Sequence, residues 1–140
     1  MPSKSLVLDA NILIRAVLGS RVRRVIQEHS DTISFFVPDS AYREAEGHLA
    51  ALVIKRGGDP EGALRLLHLL RDSVELVSEE FYQAFEQDAR ARIGVRDPND
   101  WPILACALAL GCPIWTEDVD FFGCGVATWT SGRIEVFLKD

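Results

Sequence analysis

The feature that most constrains this chain is a helical stretch with no polar face. Ile103 to Leu110 reads ILACALAL, and at 3.6 residues per turn every side of it is apolar. Such a helix is buried, so the rest of the chain has to supply layers around it. Before it stands Arg96-Asp97-Pro98-Asn99-Asp100, where Asp97 and Pro98 make an Asp-Pro helix start. After it come a Gly-Cys-Pro turn, the short apolar strand Pro113–Trp115, and then Asp118 and Asp120. Helix starts and strand ends are where open α/β sheets place their ligands. Four acids at these two places need a chemical reason.

The remaining pattern supplies the layers. Ser5 to Leu8 reads as a buried strand, and the spacing of Ile12, Ala16 and Leu18 predicts a helix after it. Gly19 and Ser20 end that helix, and Val22, Val25 and Ile26 mark another short one. Ile33 to Val37 is a second strand, closed by Pro38. Asp39 or Ser40 then caps a long helix with Tyr42, Ala45, Leu49 and Leu52 on one face. Asp59-Pro60 starts the next, carrying Leu64, Leu67 and Leu70. Val74 to Val77 is a third strand, followed by a helix from Ser78 to about Ile93 with Phe81, Phe85 and Ala89 as its stripe. Gly125 to Thr128 reads as a fifth strand at an edge. Beyond it lies either a helix capped by Thr130 or Ser131 or another edge strand. Strands alternating with helices imply an α/β fold: a mostly parallel sheet of four to five strands with helices on both faces. Residues 1–140 read as one domain.

No segment reaches the ~18 uncharged apolar residues that a membrane span needs. The first ten residues hold one Lys and a short apolar run ended by Asp9, unlike a signal peptide. Cys106, Cys112 and Cys124 fit no ligand spacing, and the expected compartment is the cytoplasm. A net charge of −6 argues against an extended duplex-binding face. It leaves room for a nuclease, whose metal site would itself contribute negative charge.

Parallel strands end on one side of the sheet, so residues just past them converge. Asp9 follows strand one, Asp118 follows strand four, and Asp100 opens the buried helix. Glu44 lies one to two turns into the helix after strand two, with Glu46 as its competitor. Asp97 and Asp120 are near neighbours of this set. Each like-charged pair ~4 Å apart costs about 4 kcal/mol at an effective dielectric near 20, so either some hold a proton or a cation neutralises them. An all-oxygen donor set suits Mg²⁺ or Mn²⁺ rather than Zn²⁺. Such a site can activate water and stabilise a phosphoryl group under in-line attack.

Simpler roles compete at several positions. Asp97 serves as a helix cap and Asp100 as a partner of the helix dipole. Asn11 is either an N-cap or a side chain whose amide holds Asp9. Asp9 itself has little local use at the end of a buried strand. Arg15, Arg21, Arg23 and Arg24 are either surface charge or a cluster that positions backbone phosphates. Trp101 and Trp115 flank the acids and could stack on bases, although Trp115, inside a strand, reads as core.

Three segments together resemble a PIN-domain ribonuclease, and within that family the VapC-like toxins: LVLDANILI, PDSAYREAEGHL and DPNDWPILACALALGCPIWTEDVDF. The resemblance implies an α/β/α sandwich and cleavage of single-stranded RNA with Mg²⁺ or Mn²⁺. By position it makes Asp9, Glu44, Asp100 and Asp118 the acidic quartet. Asp9 and Asp118 would be metal ligands, with Asp100 completing the site directly or through water. Glu44 would orient or activate the attacking water, and Thr116 and Asn11 would support the site. Asp97 and Asp120 match positions that are often acidic. A homodimer and, for a toxin of a type II toxin–antitoxin pair, a cognate antitoxin are implied as well.

Two rivals stand beside this. A haloacid-dehalogenase-like phosphohydrolase also places an Asp after strand one, but needs a second Asp where this chain has Asn11. A PIN-like RNA-binding or scaffold module would keep the fold without activity.

Overall fold

The structure is a computed structural model and describes residues 4–94 and 99–139. Five short apolar runs form its strands: β1 (Lys4–Leu8), β2 (Ile33–Pro38), β3 (Glu75–Val77), β4 (Ile114–Trp115) and β5 (Thr128–Trp129). All neighbouring pairs run parallel, in the order β3-β2-β1-β4-β5. The chain thus starts in the middle, winds outward to β3, and returns to the other side of β1 through β4. The reversal lies between β1 and β4. In an open parallel sheet that point leaves a crevice at the strands' C-terminal ends.

Helices flank this sheet, as the alternation of elements requires. The first group is α1 (Ala10–Leu18), α2 (Arg21–His29), α3 (Asp39–Lys55) and α4 (Pro60–Leu69), which pack on one another. The second is α5 (Glu79–Tyr82), α6 (Glu86–Ile93) and α7 (Trp101–Leu110). Helix α7 packs against β1, β2 and β4, and its residues Pro102 to Ala107 are buried. The short α8 (Ile134–Leu138) closes the described chain. The Lys4 ammonium ties it to β1, donating to the carbonyls of Phe137 and Lys139.

Most elements fall where the hydrophobic period puts them, and the exceptions have local causes. The cap of α1 is Asp9, whose Oδ1 accepts the Ile12 N–H at 3.0 Å, rather than Asn11. Asp9 therefore does have a local use. Helix α3 begins at Asp39 itself, with Pro38 in the cap position. Asp59 and Pro60 start α4 as their types dictate, Asp59 accepting the Glu61 N–H at 3.0 Å. The helix expected from Ser78 to Ile93 is broken by a 3₁₀ turn at Gln83–Phe85. That break shifts the helical phase, so Tyr82, Ala89 and Ile93 point inward while Phe81 and Phe85 are exposed. The edge strand forms at Thr128–Trp129, after a loop in which Gly123 and Gly125 take φ of 86° and 89°. The last element is a helix whose cap position is Arg133, not Thr130 or Ser131.

Candidate active site at the switch point

The register between β1 and β4 assembles the site. Val7 lies opposite Ile114 and Leu8 opposite Trp115, so the next residues out are Asp9 and Thr116. The fully buried Thr116 hydroxyl donates to Asp9 Oδ2 and accepts the Asp118 N–H at 2.9 Å. One hydroxyl thereby ties the ends of both central strands together. Asp118 Oδ1 in turn accepts the Asp120 N–H at 2.9 Å and closes a 3₁₀ turn at Val119–Phe121. That turn folds Asp120 back towards Asp118. Across the crevice, Asp100 stands at the start of α7. Asp100, Asp118 and Asp120, all half-buried, offer carboxylate oxygens within 4.8 Å of one another. Three like charges at that spacing favour a divalent cation between them.

Asp100 and Asp118, but not Asp120, line a cleft of about 270 Å³ whose other lining residues include Asp9, Asn11, Glu44 and Trp101. Glu44 is exposed on its wall, and Glu46 does not line it. Asn11 meets Asp9 through its backbone N–H. Asp97 lies outside the described residues. The supporting shell is specific too: Glu117 accepts the Ser131 N–H, and Ser131 Oγ accepts the Trp115 indole N–H at 3.1 Å. Trp115 is thereby fixed in the core, fully buried.

Glu79, Ser40 and Asn99 also line the cleft without having been singled out by sequence. Glu79 was findable, because it follows the end of β3 as Asp9 follows β1. Asp39, past β2 on the same edge, is spent differently: its Oδ1 accepts the Tyr82 hydroxyl at 3.0 Å and the Ser40 N–H at 2.7 Å. None of the four arginines after Asp9 lines the cleft. Arg23 donates to the carbonyls of Ala16 and Gly19, both at 2.9 Å, closing the end of α1. Arg21 pairs with Glu135 at 3.0 Å, and Arg15 and Arg24 are exposed.

Asp9 is the acid most changed by folding. Burial pushes its carboxyl from the usual 3.8 up to about 6, the charge of Asp118 adds to the rise, and the bonds from Thr116 and Ile12 oppose it. A carboxyl that holds its proton more tightly when folded stabilises the protein fully below pH 3.8, and that stability is lost as pH rises through about 6. In metal-free buffer, Asp9→Asn is therefore expected to gain stability over the wild type as pH rises from 4 to 7.5. The gap between 3.8 and about 6 sets an upper bound of about 3 kcal/mol. Urea midpoints of both proteins across this range measure it, and a constant difference between them contradicts it. Thr116→Val keeps the shape but strands the Asp118 N–H and removes the donor to Asp9. A loss of about 1–3 kcal/mol in urea unfolding is expected.

The sequence pattern of the PIN domain family matches residues 7–139. The chain belongs to the PIN domain family. PIN domains are nucleases. The fold of this PIN domain is similar to three solved structures in particular. PAE2754 from Pyrobaculum aerophilum is 17% identical, with a TM-score of 0.73 over 97% of this chain and 89% of that one. DNA-bound VapBC from Salmonella typhimurium is 16% identical, with a TM-score of 0.70 over 92% and 98%. VapBC2 from Rickettsia felis, bound to a DNA fragment from its promoter, is 12% identical, with a TM-score of 0.67 over 90% and 98%. At these identities the likeness is one of fold. Among curated proteins, none matches this chain in sequence. Among its described residues, no helix is long and apolar enough to cross a membrane.

Proposed function

We propose that this PIN domain is a metal-dependent endoribonuclease that hydrolyses phosphodiester bonds of single-stranded RNA. The observation that carries this reading is the carboxylate triad of Asp100, Asp118 and Asp120, with oxygens within 4.8 Å, beside a cleft that Asp9 and Glu44 also line. The donors are all carboxylate oxygens, which fits Mg²⁺ or Mn²⁺. Asp100 and Asp118 would hold the ion together with Asp120, and Asp9 would complete the set with the lone pairs that Thr116 and Ile12 leave it. The bound ion would supply Lewis-acid stabilisation of negative charge on the phosphoryl oxygens.

The chain's own groups do the rest. Glu44, exposed on the cleft wall, orients the attacking water and takes its proton. Thr116 keeps Asp9 turned towards Asp118. Asn11, which lines the cleft, stays a supporting residue, and Asp97 is given the same role from its place in the sequence. A chain with net charge −6 and few cations at its cleft suits a single strand better than a broad duplex face. Of the four arginines away from the cleft, the exposed Arg15 and Arg24 are then left to the outlying strand of a longer RNA.

The VapBC neighbours support a further step. The protein acts in the cytoplasm as the toxin of a type II toxin–antitoxin pair, as a homodimer, and a cognate antitoxin blocks the cleft. The test is incubation of 5′-labelled single-stranded RNAs with the protein and Mg²⁺ or Mn²⁺, against EDTA. Internal cleavage that stops in EDTA is expected, whereas RNA that is bound but never cut supports a binding module. Growth arrest on expression, relieved by a small neighbouring open reading frame, tests the toxin step.

A further inference from the structure

We propose that Trp101 is the platform on which a base next to the scissile phosphate stacks, with Tyr82 and Arg90 holding the indole. This rests on the ribonuclease reading above and names a substrate contact within it. Trp101 opens α7 directly after Asp100, and it lines the cleft shared by Asp9, Asp100 and Asp118. The protein contains a contrasting tryptophan that serves packing alone. Trp115 is fully buried with its indole N–H on Ser131, whereas Trp101 is only half-buried.

The ring is held in place before any ligand arrives. Tyr82, fully buried and donating to Asp39 at 3.0 Å, meets it edge-on with centroids 5.7 Å apart at 61°. The Arg90 guanidinium lies 5.2 Å from the indole centroid and is itself anchored by Glu86 at 2.7 Å. Neither Tyr82 nor Arg90 lines the cleft. Trp101 itself does line it, so the indole is held by two residues that leave the cleft to a ligand. A fixed ring loses little rotamer entropy on binding, so stacking there translates well into affinity.

The test uses the Asp118→Asn protein with Mg²⁺, so that RNA stays uncut, and a fluorescein-labelled octa-adenylate RNA as probe. Binding is followed by anisotropy, and stacking by quenching of tryptophan emission with unlabelled octa-adenylate. Quenching is expected, and Trp101→Phe should abolish it while retaining most of the affinity. Trp101→Leu should weaken binding about 5- to 140-fold, the range that removal of one stacking aromatic gives. In the otherwise wild-type enzyme the same change should raise KM far more than it lowers kcat. Quenching that survives Trp101→Phe, or unchanged affinity in a folded Trp101→Leu protein, overturns the platform. If the wild type still cuts RNA in that case, the ribonuclease reading stands without it. A wild type that neither binds nor cuts RNA overturns both.

Discussion

Asp118→Asn is expected to lower RNA cleavage at least about a hundredfold while leaving the thermal midpoint unchanged or raised. Outer-shell partners of metal sites typically cost about 10- to 100-fold in affinity or activity when removed, so a direct ligand should cost at least the upper end of that range. The fold should tolerate the change for a local reason. Asp118 Oδ1 accepts the Asp120 N–H, and the Asn oxygen can accept it equally well, so the 3₁₀ turn survives. The bond from the Asp118 backbone N–H to the Thr116 hydroxyl does not use the Asp118 side chain and is untouched. What disappears is one negative charge from a cluster of three within 4.8 Å, which in metal-free protein relieves repulsion. Cleavage rates and thermal melts on the same preparation separate the two effects. Retained cleavage removes Asp118 from the site, and a collapsed midpoint shows a structural role instead.

The second large effect concerns the strand that carries the site. Trp115→Ala should cost about 3–5 kcal/mol, a large share of the ~5–15 kcal/mol a domain of this kind has. Trp115 is fully buried in β4, beside Phe35 of β2 at 6.3 Å between ring centroids. Its truncation opens a cavity under the central strands and leaves Ser131 Oγ without its indole donor. The urea midpoint should fall by about 2 M for a slope near 2 kcal/mol per M. Cleavage should fall with it, because Thr116 follows directly and sets the positions of both Asp9 and Asp118. Unfolding at an unchanged urea midpoint would mean that β4 is not the support it is taken to be.

How much of this was legible beforehand depended on how local the cause was. The α/β class, the parallel sheet and the buried helix follow from period and composition, and all are present. Asp9 and Asp118 are visible because an acid directly past a buried strand stands out. Asp120 is not decidable from sequence, since the turn that brings it to Asp118 is built by the Asp118 side chain itself. Glu79 obeys the same strand-end rule, yet β3 is only three residues long and Glu79 reads as an ordinary helix start. The Phe81 and Phe85 stripe misled because a single 3₁₀ turn changed the helical phase. Arg23 looks like a phosphate contact in sequence, but the carbonyls at the end of α1 take its donors. Burial of Asp9, and the raised carboxyl that follows, needs the packed sheet to be seen at all.

The central claim is that acids from separate elements form one divalent-cation site at the junction of β1 and β4. Calorimetric titration of Mn²⁺ into the metal-free protein tests it most directly, with Asp100→Asn, Asp118→Asn and the off-cleft control Glu46→Gln alongside. The wild type and Glu46→Gln should bind Mn²⁺ alike, and both aspartate variants should bind at least about tenfold more weakly. Equal Mn²⁺ affinity in all four proteins would contradict the account.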